Sequence, residues 1–568
     1  MRLWRQPRGG AVSELWPQPY YLSGRGLGVS ALLAILPTLL LLYLLAVKRR
    51  ASWIAALAGL AATLVLAIFA YGMSLRHTFS SAAYGACFGI FPISWIVFWA
   101  LVLYEITVRT GKFEVIKDSI GSITSDKRMQ ALLIAFAFGA FIEGCAGFGT
   151  PVAVAAAMMV GLGFSSLYAS SICLLANTAP VAFGSIGIPV ITLAGITGLP
   201  LQRLSGVAGR LSAPVSFLLP AYLILVTSGI PATIEVWPAI LTCGAVFATI
   251  QFCVSNYIGP QLTDILSSIG AMAALVLLLR FWEPRHTDEH RPEPDAAMKT
   301  PSDTLPSRVH DLRSGPHYST REIWLAWMPY ALLVVFVLAW GYQPILTILN
   351  KVSVPFPWPG LHNQILRMPP VVPAPAKYAA IFNFNWMSAS GTSCMCASLL
   401  AAAFSGMGPR ALGSVIASVA HRLVRPTITV AAMLAMAFVM NYSGATGTLG
   451  LAFSATGAAF PFFSPIMGWL GVFLTGSDTS SNALFGNLQV VSAGRLGFDP
   501  VLIAAANSVG GVMGKMISLQ TIAVAAAATG MSVADQSKLF RFTLRHSIFL
   551  AALVGTEVML YAYVVHLH

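Results

Sequence analysis

Long, nearly unbroken apolar stretches alternate along this chain with short polar runs. The first three lie near 28–47, 53–72 and 81–104. Each holds about 20 residues, enough as a helix to cross the roughly 30 Å hydrocarbon core of a bilayer. A charged run from Glu105 to Arg128 follows, then a long apolar, glycine-rich region over 131–190 and further spans near 214–228, 235–255 and 262–280. The pattern changes over 281–322, which is polar, charged and proline-bearing and reads as a solvated linker. Apolar stretches return near 323–346, 377–405, 426–440, 455–490, 500–528 and 546–566. The expected organisation is an N-terminal transmembrane half over 1–280, a cytoplasmic linker over 281–322 and a C-terminal transmembrane half over 323–568. No period-two alternation of apolar and polar residues runs through these segments, which excludes a β-barrel.

Two apolar regions are broken by glycine and polar residues. The first reads FIEGCAGFGTPVAVAAAMMVGLGF (Phe141 to Phe164), with Gly144, Gly147, Gly149 and Pro151 at its centre. The second reads GVFLTGSDTSSNALFGNLQ (Gly471 to Gln489), centred on Gly476. Backbone that leaves the helix at membrane depth must be buried in protein or line a water-filled site, so each is expected to be a re-entrant hairpin. Each is followed by LGF and then by an apolar helix carrying an Asn and a glycine-broken stretch. These are ANTAPVAFGSIGIPV from Ala176, with Gly184, and ANSVGGVMGKMISLQ from Ala506, with Gly510, Gly511 and Gly514. Aligning Asn177 with Asn507 also aligns Gly184 with Gly514. The predicted fold class is thus an all-α polytopic membrane protein, with about 12 transmembrane helices plus two re-entrant hairpins in an inverted repeat.

Composition narrows the function. Of the 568 residues 57% are hydrophobic and 9% charged, with a mean hydropathy of +0.76. A soluble domain carries about 25% charged residues, so a soluble enzyme, a disordered chain, a coiled coil and a nucleic-acid-binding domain are excluded. The net charge of +13 sits in short runs beside apolar stretches, at Lys48 to Arg50, then at Arg109, Lys112, Lys117, Lys127 and Arg128. This is the positive-inside pattern; it makes the first and third loops cytoplasmic and puts the N-terminus outside. Arg2, Arg5, Arg8 and Arg25 run against that orientation. Arg410, Arg422 and Arg425, and then Lys538, Arg541 and Arg545, fit the cytoplasmic side if the two broken regions do not fully cross. The first hairpin then enters from the cytoplasm and the second from outside. A polar stretch of 27 residues followed by an apolar run of about 20 does not read as a cleavable signal peptide. The seven cysteines lie in apolar stretches without zinc spacing and read as small buried side chains.

Ionisable residues inside apolar sequence are costly and mark functional positions. Glu105 reads as an interfacial helix-end residue. Glu143 has no charged residue within ten positions on either side, and such a carboxyl could carry a proton. Asp478, in GSDTSSN, either couples to the proton or caps the second hairpin arm. Lys515, in GGVMGKMIS, fails the P-loop pattern, with Val509 at the first glycine position and Met516 after the lysine. It reads as a fixed positive charge for a small carboxylate or as counter-ion to a buried acid. Asn177, Thr178, Ser477, Thr479, Ser480, Ser481 and Asn482 add donors and acceptors suited to a small anion that bears a hydroxyl. His286, His290, His310, His317, His566 and His568 cluster in the linker and tail, which argues against a membrane enzyme. No catalytic residue, metal or cofactor is expected.

At these segments the sequence resembles the bacterial lactate permease family, the L-lactate/glycolate permeases, within a broader ion transporter superfamily. FGAFIEGCAGFGTPVAVAAA, LLANTAPVAFGSIGIPV, FFSPIMGWLGVFLTGSDTSSNALFGNLQ, GGVMGKMIS, RMPPVV and FRFTLRHS carry the resemblance. It implies a multi-pass carrier of the bacterial cytoplasmic membrane that takes up lactate, and often glycolate, together with protons, without cofactor or nucleic-acid partner. It places the site at Glu143 to Pro151, Asn177 to Pro180, Gly476 to Asn482 and Gly510 to Lys515. Substrate-binding roles fall to Asn177, Thr178, Ser477, Ser480, Ser481, Asn482 and Lys515, and proton coupling to Glu143 and Asp478. The alternatives are a Na⁺-coupled carrier of another small carboxylate, an anion channel and an integral membrane enzyme.

Overall fold

The structure is a computed structural model that describes residues 15–22, 26–48, 50–147, 149–284 and 318–565. The linker expected over 281–322 lies outside the described residues from 285 to 317, as do its histidines, Arg2, Arg5, Arg8, Arg25, Arg49, His566 and His568.

α1 (Leu27–Ala46) and α2 (Ser52–Val65) are the first two apolar stretches. α3 (Leu75–Phe88) begins where the Ser74 hydroxyl accepts from His77 N–H, and runs through a kink at Phe91 into α4 (Trp95–Arg109). The charged run folds as α5 (Lys112–Gly121) and α6 (Lys127–Gln130). Asp126 caps α6 through the N–H groups of Arg128 and Met129. It also pairs at 2.8 Å with the buried Arg128 guanidinium, which reaches Glu235 at the same distance. Helical backbone continues over 131–138 into α7 (Gly139–Cys145), turns back as α8 (Thr150–Gly161), and is followed by α9 (Ser166–Ala176) and α10 (Gly184–Thr197). α11 (Leu201–Glu235), α12 (Trp237–Tyr257) and α13 (Thr263–Leu279) complete the part before 285.

A capping box between Ser319 and Glu322 starts α14 (Thr320–Gly341), and the short α15 (Gln343–Asn350) follows. The next stretch differs from expectation. The apolar span predicted over 377–405 is helical only over α16 (Ser390–Phe404). Before it, β1 (Trp16–Pro17) pairs in parallel with β3 (Ile365–Arg367), and β3 pairs antiparallel with β4 (Ala376–Lys377). β2 (Val354–Pro357) pairs antiparallel with β5 (Ile381–Phe384). Prolines at 355, 357, 359, 369, 370, 373 and 375 remove the N–H donors a helix needs there. Trp358 Nε1 donates to the Ser80 carbonyl at 3.1 Å and Tyr84 Oη to that of Ile381 at 2.9 Å, which seats this small β region on α3.

The chain ends with α17 (Pro409–Ser443), α18 (Ala445–Phe453), α19 (Phe460–Thr475), α20 (Asp478–Leu496), α21 (Pro500–Lys515), α22 (Leu519–Thr529) and α23 (Val533–Leu560). Among the described residues 11 helices are long and apolar enough to cross a membrane, or 12 if α9 and α10, bent by 66° at their break, form one span. This agrees with the dozen expected. Helices from before and after 281–322 pack together: α17 lies on α2, α3 and α4, and α16 on α4. Glu105 accepts from Arg109 at 3.0 Å and from Arg422 at 3.5 Å, so two of the basic clusters share one end of the bundle.

At the centre α8 packs on α9 and α22, while α20 packs on α21 and α10. Glycines allow the close approach. A Cβ at Gly510 or Gly514 would collide with the Pro465 or Trp469 carbonyl of α19. Small residues are what bring helices together where lipid supplies no hydrophobic drive. Gly514→Ala is therefore expected to destabilise the purified protein by about 1–3 kcal/mol through overpacking. Gly413→Ala, with open space around the added methyl, should be neutral or stabilising by up to about 1 kcal/mol. Thermal unfolding in detergent compares the two.

Candidate functional site

Four interruptions of helix meet at one cavity of about 270 Å³: the α7–α8 turn, the α9–α10 break, the α19–α20 turn and the α21–α22 break. Three helices start there. α8 follows Gly149, whose φ of +81° is a left-handed conformation that glycine adopts without strain. α20 follows Ser477, whose hydroxyl accepts from Ser480 N–H at 3.3 Å. Ser477, not Asp478, is thus the cap, and Asp478 is the first residue of the helix. α22 follows Ser518, which accepts from Thr521 N–H at 3.2 Å. Each first turn carries N–H groups without intrahelical partners and the positive end of the helix dipole. The surroundings therefore favour an anion.

Lys515 closes α21 at the cavity. Its Nζ donates to Glu143 Oε1 at 2.7 Å, and Asn177 Nδ2 donates to Oε2 at 3.1 Å. Both charged side chains are buried. Glu143, isolated along the sequence, is therefore paired in space, and Lys515 is its counter-ion in this conformation. Gly184 makes room for the pair, since a Cβ there would stand 2.6 Å from Glu143 Oε1. Ser185 and Ile186 follow with φ of 49° and 61°. A β-branched residue in the left-handed region is strained, a feature that clusters at functional sites. Ser185 Oγ donates to the Ala146 carbonyl at 3.2 Å and so ties this strained turn to α7–α8.

Asp478 heads a second buried network. Its Oδ2 accepts from Ser508 Oγ at 2.6 Å and from Asn482 Nδ2 at 3.4 Å. Asn482 also donates to the Pro189 carbonyl at 3.1 Å, and its Oδ1 accepts from Asn507 Nδ2 at 2.9 Å. Gln489 Nε2 donates to Asn507 Oδ1 at 3.2 Å. Asp478 Oδ1 is buried without a hydrogen-bond partner. Asn177 stands at the α9–α10 break, whereas Asn507 lies inside α21, well before the α21–α22 break.

Glu143, Gly149, Gly184, Gly476, Ser477, Asp478, Thr479, Ser480 and Lys515, all named from the sequence, line the cavity together. Asn177, Ser481 and Asn482 stand behind that lining. Asn177 holds Glu143, Ser481 donates to the Gly468 carbonyl at 3.1 Å, and Asn482 joins α20 to α10 and α21. Thr178 donates to its own Leu175 carbonyl at 2.7 Å and faces a separate crevice. Ser185, Arg425, Gln520 and Thr521 line the cavity without having been singled out. Ser185 and Gln520 sit within the quoted segments. Arg425 belongs to a basic cluster read only for orientation. Asp264 is a carboxyl in an apolar stretch, the same signal that marks Glu143.

A multi-helix membrane bundle built around a buried, anion-favouring cavity of this kind suits the transport of a small anion. Residues 30–565 match the family model described as L-lactate permease, and the chain belongs to that family. It is 43% identical to the L-lactate permease of Bacillus subtilis, over 95% of this chain and 97% of that one. It is 42% identical to the glycolate permease GlcA of Escherichia coli, over 97% and 98%. To the L-lactate permease of Salmonella typhimurium it is 41% identical, over 97% and 99%. Among solved structures it is similar to Neisseria gonorrhoeae MtrF, at 14% identity and a TM-score of 0.43, over 86% of this chain and 84% of that one. It is also similar to the Alcanivorax borkumensis YdaH transporter, at 14% identity and a TM-score of 0.37, over 93% and 98%. The protein is a multi-pass protein of the cytoplasmic membrane.

Breaking one partner of a buried ion pair costs about 3–5 kcal/mol. Lys515→Met is therefore expected to lower thermal stability. Adding Glu143→Gln should recover part of the loss, with a coupling of about 0.5–3 kcal/mol in a double-mutant cycle. Strict additivity would mean that the pair contributes nothing to the fold.

Proposed function

We propose that this protein carries lactate and related small 2-hydroxy monocarboxylates such as glycolate into the cell, one proton accompanying each anion. The observation that carries the reading is the Lys515–Glu143 pair at the cavity wall. Glu143 occupies the place on Lys515 that a substrate carboxylate needs. A proton on Glu143 neutralises that competitor and frees the ammonium for the substrate. The first turns of α8, α20 and α22 add N–H donors, and the Ser477 and Ser480 hydroxyls suit the substrate's 2-hydroxyl. The names of the relatives supply the substrate class. A cavity of about 270 Å³ is of a size for small acids.

Proton coupling also follows from the energetics of uptake. Moving one charge against 100 mV costs about 2.3 kcal/mol, whereas an anion with a proton crosses as a neutral pair. Asp478, with donors on Oδ2, is the second proton-coupling candidate.

The α7–α8 and α19–α20 turns both meet the cavity inside the bundle, which supports reading them as re-entrant hairpins of opposite entry. The exchange of packing partners between α8–α22 and α20–α10 supports the inverted repeat. Leu45, Ser52, Trp53 and the exposed Arg425 also line the cavity, close in sequence to Lys48 and Arg50, which supports reading the conformation described as the one that faces the cytoplasm.

Three variants in proteoliposomes test this. Glu143→Gln, which imitates the protonated state, should still exchange lactate but lose accumulation driven by a pH gradient. Lys515→Met should abolish lactate binding, and Lys515→Arg should restore it only in part, because a planar guanidinium needs a different pocket. Asp478→Asn should damage binding or the turn it sits in. Normal pH-driven accumulation by Glu143→Gln moves the proton to Asp478 or another group. Accumulation that follows a Na⁺ gradient instead favours Na⁺ as the coupling ion.

A further inference from the structure

Asp264 is the second residue of α13 and is 1% exposed. Both of its carboxyl oxygens are buried and lack a hydrogen-bond partner. It packs against α7 directly behind Glu143: a Cβ on Gly144 would stand 2.9 Å from Asp264 Cβ. The charged groups that face it are Glu143 and Lys515. The Cys145 thiol is the other titratable neighbour. α10, α12 and residues 131–138, which also pack on α13, contain no charged residue. Asp264 does not line the cavity and cannot touch a bound substrate there.

The charge count around Lys515 gives this arrangement its meaning. Glu143, Asp478 and Asp264 are three buried carboxyls around one ammonium. Ionised together they would leave an excess of negative charge beside a site that must accept an anion, even with Arg425 in the cavity lining. An unpaired buried carboxylate costs several kcal/mol, and two neighbouring carboxyls in an apolar site do not both ionise. Glu143 has Lys515 and Asn177 to hold its charge, whereas Asp264 has no partner.

We propose that Asp264 is a second proton-binding carboxyl of this carrier, sharing the transported proton with Glu143 across the α7 turn at Gly144. This deepens the proton-coupled reading of the cavity and rests on it. In the conformation described the proton is on Asp264 and Glu143 is ionised against Lys515. When a substrate carboxylate displaces Glu143 from Lys515, the proton on Asp264 passes to Glu143 and Asp264 is reprotonated from the side to which the site is open, so that one proton is loaded with each anion. The two carboxyls then titrate as a pair.

The test is the pH profile of lactate uptake into proteoliposomes of the full chain. Asp264→Asn removes the carboxylate that Asp264 becomes when its proton passes to Glu143, so Glu143 holds the transported proton less tightly. The midpoint of proton-driven uptake should move to lower pH by about one unit, a tenfold change in proton concentration. Asp264→Glu keeps a titrating group and should hold the midpoint nearer the wild-type value. An Asn profile that overlays the wild type, with Glu143→Gln still losing accumulation, overturns the role of Asp264 alone. Normal accumulation by Glu143→Gln overturns the reading beneath it. If the Asn variant does not insert, Asp264→Ser, equally neutral, takes its place. If neither inserts, infrared difference spectra decide: the carbonyl stretch of a protonated carboxyl should shift between wild type and Asp264→Glu, and an unshifted band overturns the proposal.

Discussion

The ion pair between Lys515 and Glu143 joins residues 372 positions apart and holds two interrupted helix systems around one cavity. Neither charge is tolerable there alone. An ammonium at the end of α21 and a carboxylate near the end of α7 each lose most of their hydration on burial. They recover it only through each other and through Asn177. The positions of α7, α9 and α21 follow from that requirement, as does the absence of a side chain at Gly184. Such a pair is also switchable: a proton or a competing carboxylate breaks it without any covalent step.

The other constraint is the satisfaction of backbone polar groups at membrane depth. Four helix interruptions in one place leave many N–H groups without helical partners. Capping hydroxyls at Ser477 and Ser518 take some of them. The rest face a cavity, where water or an anion serves. Interior amides do the same work between helices: Asn482 and Asn507 bridge α20, α21 and the α10 backbone. At the base of α6, Asp126, Arg128 and Glu235 tie the start of the first helix pair to the end of α11. The moving parts of a carrier need such fixed points at their bases and weaker contacts at their tips.

The small β region shows where local chemistry overrode hydropathy. Prolines over 355–375 deny a helix its donors ahead of the span expected over 377–405, and the first part of that span, Ile381–Phe384, pairs as a strand with Val354–Pro357. The chain forms short strands instead and packs its aromatic residues on α3: Tyr84 lies with its ring 5.2 Å from that of Trp358 and 5.0 Å from that of Phe438.

Hydropathy alone determined the class of this protein, the number of its spans to within one, though not the span expected over 377–405, and the two broken regions, because a bilayer imposes length and backbone rules that a linear pattern records. Rarity of ionisable residues in apolar sequence singled out Glu143, Asp478 and Lys515, since burial of charge is costly wherever it occurs, and all three are buried at one cavity. Pairing is a matter of distance in space, and no linear pattern records it. Glu143 is isolated along the sequence because its partner lies at the far end of the chain, and only packing against Gly144 places Asp264 behind Glu143. The division of Asn177, Ser481 and Asn482 from Ser477 and Ser480 has the same origin. All five are small polar residues in broken helices, and only the tertiary packing turned the first three toward protein partners and the last two toward the cavity.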